Sequence, residues 1–138
     1  MRRPRLAVAA LLVALAGAAS CGRASADEPA RRTAHVTIHF SHFYPSQVDV
    51  HPGDTVTFVV QNTDPIDHEF ILGDAAFQEI HEKGTEAYHP PRPGEITVPA
   101  GTTQVTTYTF PARNPGLTFA CHVPGHFAYG MVGLIKYV

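Results

Sequence analysis

The sequence predicts an all-β chain, a Greek-key antiparallel β-sandwich with a short helical insertion near residues 75–89. Three observations predict it. Short runs rich in Val, Thr and Phe alternate apolar and polar residues with a period of two, which gives each run one face for a core. The 11 glycines and 12 prolines cluster between those runs, where they punctuate turns. One stretch alone, residues 73–95, breaks the alternation over a long distance.

Taken in order, residues 27–33 read as a polar, flexible lead containing Pro29. Val36, Ile38 and Phe40 then alternate with His35, Thr37 and His39, a half-buried strand that turns the histidines outward. Val48 and Val50 continue the alternation, and Pro52-Gly53-Asp54, next to His51, turns the chain into the run 55–60. A second polar turn, 62–67 with Pro65, delivers His68 to the head of Glu69-Phe70-Ile71-Leu72. Residues 75–83 are helix formers with Phe77, Ile80 and Lys83 spaced by threes, and Gly84 stops them. The loop 88–94 is stiff, because Pro90, Pro91 and Pro93 fix backbone dihedrals and remove donors. Ile96 and Val98 mark a short strand, and the Thr-rich run 103–110 suits a strand because β-branched residues pack well on a pleated surface. After the turn cluster 111–116, Leu117, Phe119 and Cys121 alternate with Thr118 and Ala120, which puts the cysteine in an inward-facing series. Met131 opens the closing strand through residue 138.

Chemistry concentrates in one loop, Cys121-His122-Val123-Pro124-Gly125-His126-Phe127-Ala128-Tyr129-Gly130-Met131. Thiolate and thioether select Cu(I), imidazole accepts both redox states, and a trigonal His₂Cys set with a weak axial Met is the blue-copper arrangement. The loop offers three of those four ligands, and His68, where a polar turn meets an apolar strand, is the candidate for the fourth. A lone cysteine with nearby histidines also fits a zinc site or a buried thiol, although zinc rarely recruits Met.

These residues resemble the cupredoxins, with the match running over roughly residues 34–138 and including the segment 43–56, which looks like the family's first hairpin region. The resemblance implies one type 1 copper per chain, with His68, Cys121 and His126 as equatorial ligands and Met131 as the axial one. It also implies that the backbone N–H of Glu69 donates to the copper thiolate. Four residues separate Cys121 from His126 and four more separate His126 from Met131, a spacing similar to that of auracyanin- and rusticyanin-like proteins. The stretch 73–95 is longer than a minimal cupredoxin requires. For His81 and His89 within it, two readings stand: a second metal pair, or exposed helix and loop histidines.

The amino terminus reads as an export signal, residues 1–26, with a basic start at Arg2, Arg3 and Arg5, an apolar run and an A-x-A site ending at Ala26. The alternative is a lipid anchor at Cys21, where the preceding residues loosely resemble a lipobox. Cleavage after Ala26 leaves Cys121 as the only cysteine, and a metal bond is the simplest protection for a single thiol in an oxidising compartment. It also takes ten basic residues to six against twelve acidic ones, moving the formal net charge from −2 to −6. That balance excludes nucleic acid as a partner and suits cationic redox partner proteins.

The expected function is therefore single-electron carriage by Cu(II)/Cu(I) cycling, by an exported monomer, periplasmic or extracellular, membrane-anchored if Cys21 carries lipid. Catalysis has no Ser/His/Asp order, paired carboxylates or Gly-rich phosphate loop to rest on. Two alternatives compete: extracytoplasmic copper storage, delivery or resistance, which nine histidines could serve, and multicopper-oxidase-like chemistry. Oxidases need histidines on both sides of the cysteine; here Ala120 precedes it, and His122 is expected to point outward from the loop. The half-polar, half-aromatic loop around His126, with Pro124, Phe127 and Tyr129, predicts an imidazole edge that reaches the surface inside an apolar patch.

Overall fold

The computed structural model describes residues 29–85 and 87–138. The expected export signal, the Ala26 site and Cys21 lie outside them. Among the described residues nine strands and one helix follow one another: β1 (Arg31–His39), β2 (His42–Tyr44), β3 (Gln47–Val50), β4 (Thr55–Asn62), β5 (His68–Gly73), α1 (Ala75–Glu82), β6 (Glu95–Val98), β7 (Thr103–Thr109), β8 (Thr118–Ala120) and β9 (Val132–Tyr137). They form a four-stranded sheet in the order β2-β1-β4-β7 and a five-stranded sheet in the order β3-β9-β8-β5-β6. No helix among the described residues is long and apolar enough to cross a membrane.

The sandwich is as expected, but the sheets are mixed and not purely antiparallel. β1 runs parallel to β4, and β3 runs parallel to β9. The cause is the crossing of β3 into the second sheet: the chain reaches β4 only after leaving the first sheet, so it re-enters beside β1 in the same direction. Strand β1 also begins inside the lead expected over 27–33. Arg31, Arg32 and Thr33 already pair with Thr55, Val56 and Thr57. Asp54 holds this end down, accepting the N–H of Ala30 at 2.8 Å and the Arg32 guanidinium at 2.9 Å.

Period-two alternation buries Val36, Ile38, Val56, Phe58 and Val60 from one sheet against Phe70, Leu72, Phe119 and Ile135 from the other. Phe70 lies at the centre, 5.1 Å from Phe58 and stacked on Phe119 at 5.1 Å and 24° between ring planes. Phe40 departs from the alternation. It lies in the two-residue turn between β1 and β2, where it and Ser41 adopt φ of 50° and 55°, and it is 77% exposed. Such a turn matches the right-handed twist of its strands but suits Asn or Gly better; here the carboxylate of Asp64 fastens it, accepting the N–H groups of Phe40 at 2.7 Å and Ser41 at 2.8 Å.

Helix α1 is stopped before Gly84, at φ 58°, as the sequence predicts, and its start is capped by Asp74, which accepts the N–H of Phe77 at 2.9 Å. The face it buries is not the one spaced by threes. Ile80 is exposed, while Gln78 is buried and its Nε2 donates to the carbonyls of Ile71 at 3.0 Å and Thr118 at 3.1 Å. Gly73 permits this close approach, because a Cβ there would meet the Phe77 ring at 2.2 Å.

Candidate metal centre

Antiparallel pairing of β5 with β8 and of β8 with β9 brings the start of β5, the end of β8 and the start of β9 to one end of the sandwich. His68, Cys121 and Met131 occupy those three positions, and the loop between β8 and β9 supplies His126. The donor atoms converge. His126 Nδ1 lies 3.3 Å from Cys121 Sγ, His68 Nδ1 lies 3.8 Å from the same sulfur, and the two Nδ1 atoms are 3.2 Å apart. Donors bonded at about 2.0–2.3 Å to one ion enclose it in a triangle with edges of this size.

The rings are held from behind. His68 donates Nε2–H to Asp64 Oδ2 at 2.9 Å, so its Nδ1 keeps a lone pair directed at the sulfur. Burial pushes the Asp64 carboxyl up, and the N–H groups of Ser41 and Phe40 with the His68 ring overcome that, leaving it below the usual carboxylate range. The Asp64 carboxylate thereby connects the turn between β1 and β2 to the orientation of His68. Its signal in the sequence is the i, i+4 spacing to His68, which sequence reasoning passed over as part of a polar turn.

Cys121 is fully buried, and Glu69 donates its backbone N–H to Sγ at 3.3 Å, as the resemblance implied. Burial pushes the thiol up, against the N–H groups of Glu69 and Val123, while the Glu69 and Glu82 carboxylates add to the rise. A site that disfavours a bare thiolate is complemented by a cation bonded to it. His126 is shifted the other way: burial, then the neighbouring His68, lower it, so the ring is neutral and has a lone pair to give. Met131 is buried, and its backbone bonds both partners, N–H to the His126 carbonyl at 3.0 Å and carbonyl to the Cys121 N–H at 3.2 Å. A soft sulfur, two imidazoles and an adjacent buried methionine fit copper better than zinc.

His122 does not point outward. Its side chain is 3% exposed beneath α1, with Nε2 2.7 Å from Gln78 Oε1 and Nδ1 2.9 Å from Glu82 Oε2. Its backbone N–H donates to Glu69 Oε2 at 3.2 Å, and Phe127 stacks on its ring at 4.9 Å. Phe127 therefore belongs to the packing between loop and helix. The helix belongs to the stretch expected as an insertion; it buttresses the residue next to the cysteine, and the polar pair Gln78 and Glu82 gave no apolar signal to reveal that. His81 and His89 are brought together too, at Glu95, in a separate cluster.

Two sheets closed around a His–Cys–His donor set at one end define a cupredoxin-like copper protein. The chain belongs to that family: the family model described as "Cupredoxin-like domain" matches residues 6–130. It is 35% identical over 118 residues to the "Copper-resistant cuproprotein CopI" of Rubrivivax gelatinosus, covering 83% of this chain and 71% of that one. It is 32% identical over 130 residues to the protein of the same name from Vibrio cholerae, covering 91% of this chain and 76% of that one. Its fold is similar to that of auracyanin A, a "blue" copper protein from Chloroflexus aurantiacus, with a TM-score of 0.60 and 23% identity over 78% of this chain and 99% of that one.

Proposed function

We propose that the chain is an exported, monomeric carrier of one type 1 copper, ligated by His68, Cys121 and His126 with Met131 as the weak axial ligand, and that it exchanges single electrons with redox partner proteins. The convergence of three donor atoms within 3.2–3.8 Å of one another carries this reading. Copper, when bound, supplies one-electron chemistry by alternating between Cu(II) and Cu(I). The chain supplies a geometry that does not need to change: His68 is fixed by Asp64, the sulfur by Glu69, and the loop by hydrogen bonds from Met131 to His126 and from Tyr129 to Gly125. His126 is partly exposed where His68 is fully buried, which makes His126 the edge through which electrons enter.

The same geometry supports a carrier over an enzyme. Ala120 precedes the cysteine, and His122 is already engaged with Gln78 and Glu82.

Copper resistance is a second reading, favoured by the name that both relatives at 35% and 32% identity bear. The two readings differ in whether the ion leaves. Electron exchange with a cytochrome and copper transfer to an apo acceptor, measured on one preparation, separate them. A carrier exchanges electrons in milliseconds to seconds and keeps its copper; release of the ion to the acceptor on that timescale would overturn the carrier reading in favour of delivery.

A further inference from the structure

A second group of ligating side chains lies outside the copper centre. His81 on α1, His89 in the proline loop and Glu95 at the start of β6 bring one ligand atom each within 4.8 Å of the others. They line a cavity of about 470 Å³ together with Glu69, Ile71, Tyr88, Pro91, Ile96 and Thr97.

Ring orientation is what distinguishes this cluster from a chance encounter of surface histidines. His81 Nδ1 lies 3.0 Å from the Phe77 carbonyl and His89 Nδ1 lies 2.8 Å from the Pro90 carbonyl. A carbonyl only accepts, so each Nδ1 carries its hydrogen. The Nε2 atoms then face the carboxylate, and both lie 3.3 Å from the same Glu95 Oε1. A cation seated among them would take one donor atom from each of the three residues. The second oxygen, Glu95 Oε2, is buried and has no hydrogen-bond partner among the described residues, although a buried carboxylate oxygen left so is costly.

Distances choose the positive species. Four ligands at about 2.0–2.1 Å around a tetrahedral ion are separated by edges of about 3.3 Å, the spacing both histidines show to Glu95 Oε1. Histidines that ligate metals commonly donate their other ring N–H to a backbone carbonyl, as these two do. We propose that His81, His89 and Glu95 form a second cation site, for a borderline divalent transition ion, with Cu(II) favoured over Zn(II) by intrinsic affinity. The three ligands found among the described residues face a cavity, so the ion exchanges, unlike one enclosed by a thiolate and two imidazoles. The site stands on its own geometry and does not depend on what the first centre does.

Its test starts from protein carrying one copper per chain after dialysis. Titration with Cu(II), followed by electron paramagnetic resonance, should add a second signal with nitrogen couplings and no thiolate absorption, and calorimetry with Zn(II) should give one further site. Competition between equal amounts of the two ions identifies the preferred one. His89→Ala and Glu95→Gln should each weaken the second ion at least tenfold and leave the first copper's colour unchanged, whereas His35→Ala, an exposed strand histidine, should alter neither. Absence of a second ion at tenfold excess, or wild-type affinity in both His89→Ala and Glu95→Gln, overturns the proposal.

Discussion

Two histidine clusters share this small sandwich and differ in what surrounds them. In the first, His68 and His126 face a fully buried sulfur at the ends of strands, and a carboxylate that also fastens a turn fixes the His68 ring. In the second, His81 and His89 face a carboxylate from a helix and a loop, and backbone carbonyls fix the rings. The first set is soft and enclosed; the second is harder and opens onto a cavity. The comparison teaches that ring orientation comes from the layer behind the ligands, while donor softness and burial decide which ion is held and how firmly.

The largest break in that comparison is Cys121→Ser. Removing the sulfur converts the first cluster into a set resembling the second, and the intense thiolate absorption of the Cu(II) protein should vanish while far-ultraviolet circular dichroism still reports the sandwich. Next is Asp64→Asn, which weakens the acceptor of both Phe40 and Ser41 N–H groups and disturbs the His68 ring. Stability should fall by about 2 kcal/mol in urea unfolding, and copper affinity by about ten- to a hundredfold in competition with a chelator.

Asp54→Asn sharpens the result, for Asp54 fastens the opposite end of β4 and faces no ligand. It should lower stability without moving the optical spectrum. For Asp54, burial raises the carboxyl and the N–H groups of His51 and Ala30 with Arg32 lower it further, so both aspartates end below the ordinary value of 3.8. The sign follows: in the unfolded chain they take up protons first, so their stabilisation is present above about pH 4 and is lost as pH falls through the depressed folded values. Acid unfolding of the metal-free protein should therefore occur at higher pH once either aspartate is amidated.

A smaller effect is expected from Gln78→Leu, which leaves the Ile71 and Thr118 carbonyls and His122 without their partner. It should cost about 1 kcal/mol and shift the copper spectrum slightly through Cys121. Smallest is Met131→Gln, which should keep copper bound and lower the potential in voltammetry, because the axial bond is long and weak.

The sandwich was legible because it rests on signals local in sequence, period-two alternation and turn residues, and the candidate loop because Cys121, His126 and Met131 fall within eleven residues. What was missed depends on long-range pairing. The parallel register of β1 with β4 follows from a crossover between sheets, and alternation alone does not report strand direction. Phe40 continued the pattern of Val36 and Ile38 but lies past the end of its strand, held by Asp64 from 24 residues away. His122 read as a loop residue since its partners, Gln78 and Glu82, lie on a helix 40 or more residues earlier. Glu95 gave no sign of meeting His81 and His89, because β6 must first pair with β5 to bring it there.

The optical spectrum of the purified protein with Cu(II), taken with elemental analysis after dialysis, tests the central claim most directly. The expected result is intense visible absorption from thiolate charge transfer and one tightly held copper per chain, with any second ion removed by a mild chelator. Copper bound with only the faint spectrum of nitrogen and oxygen ligation would contradict the assignment of Cys121, His68 and His126 as one type 1 centre.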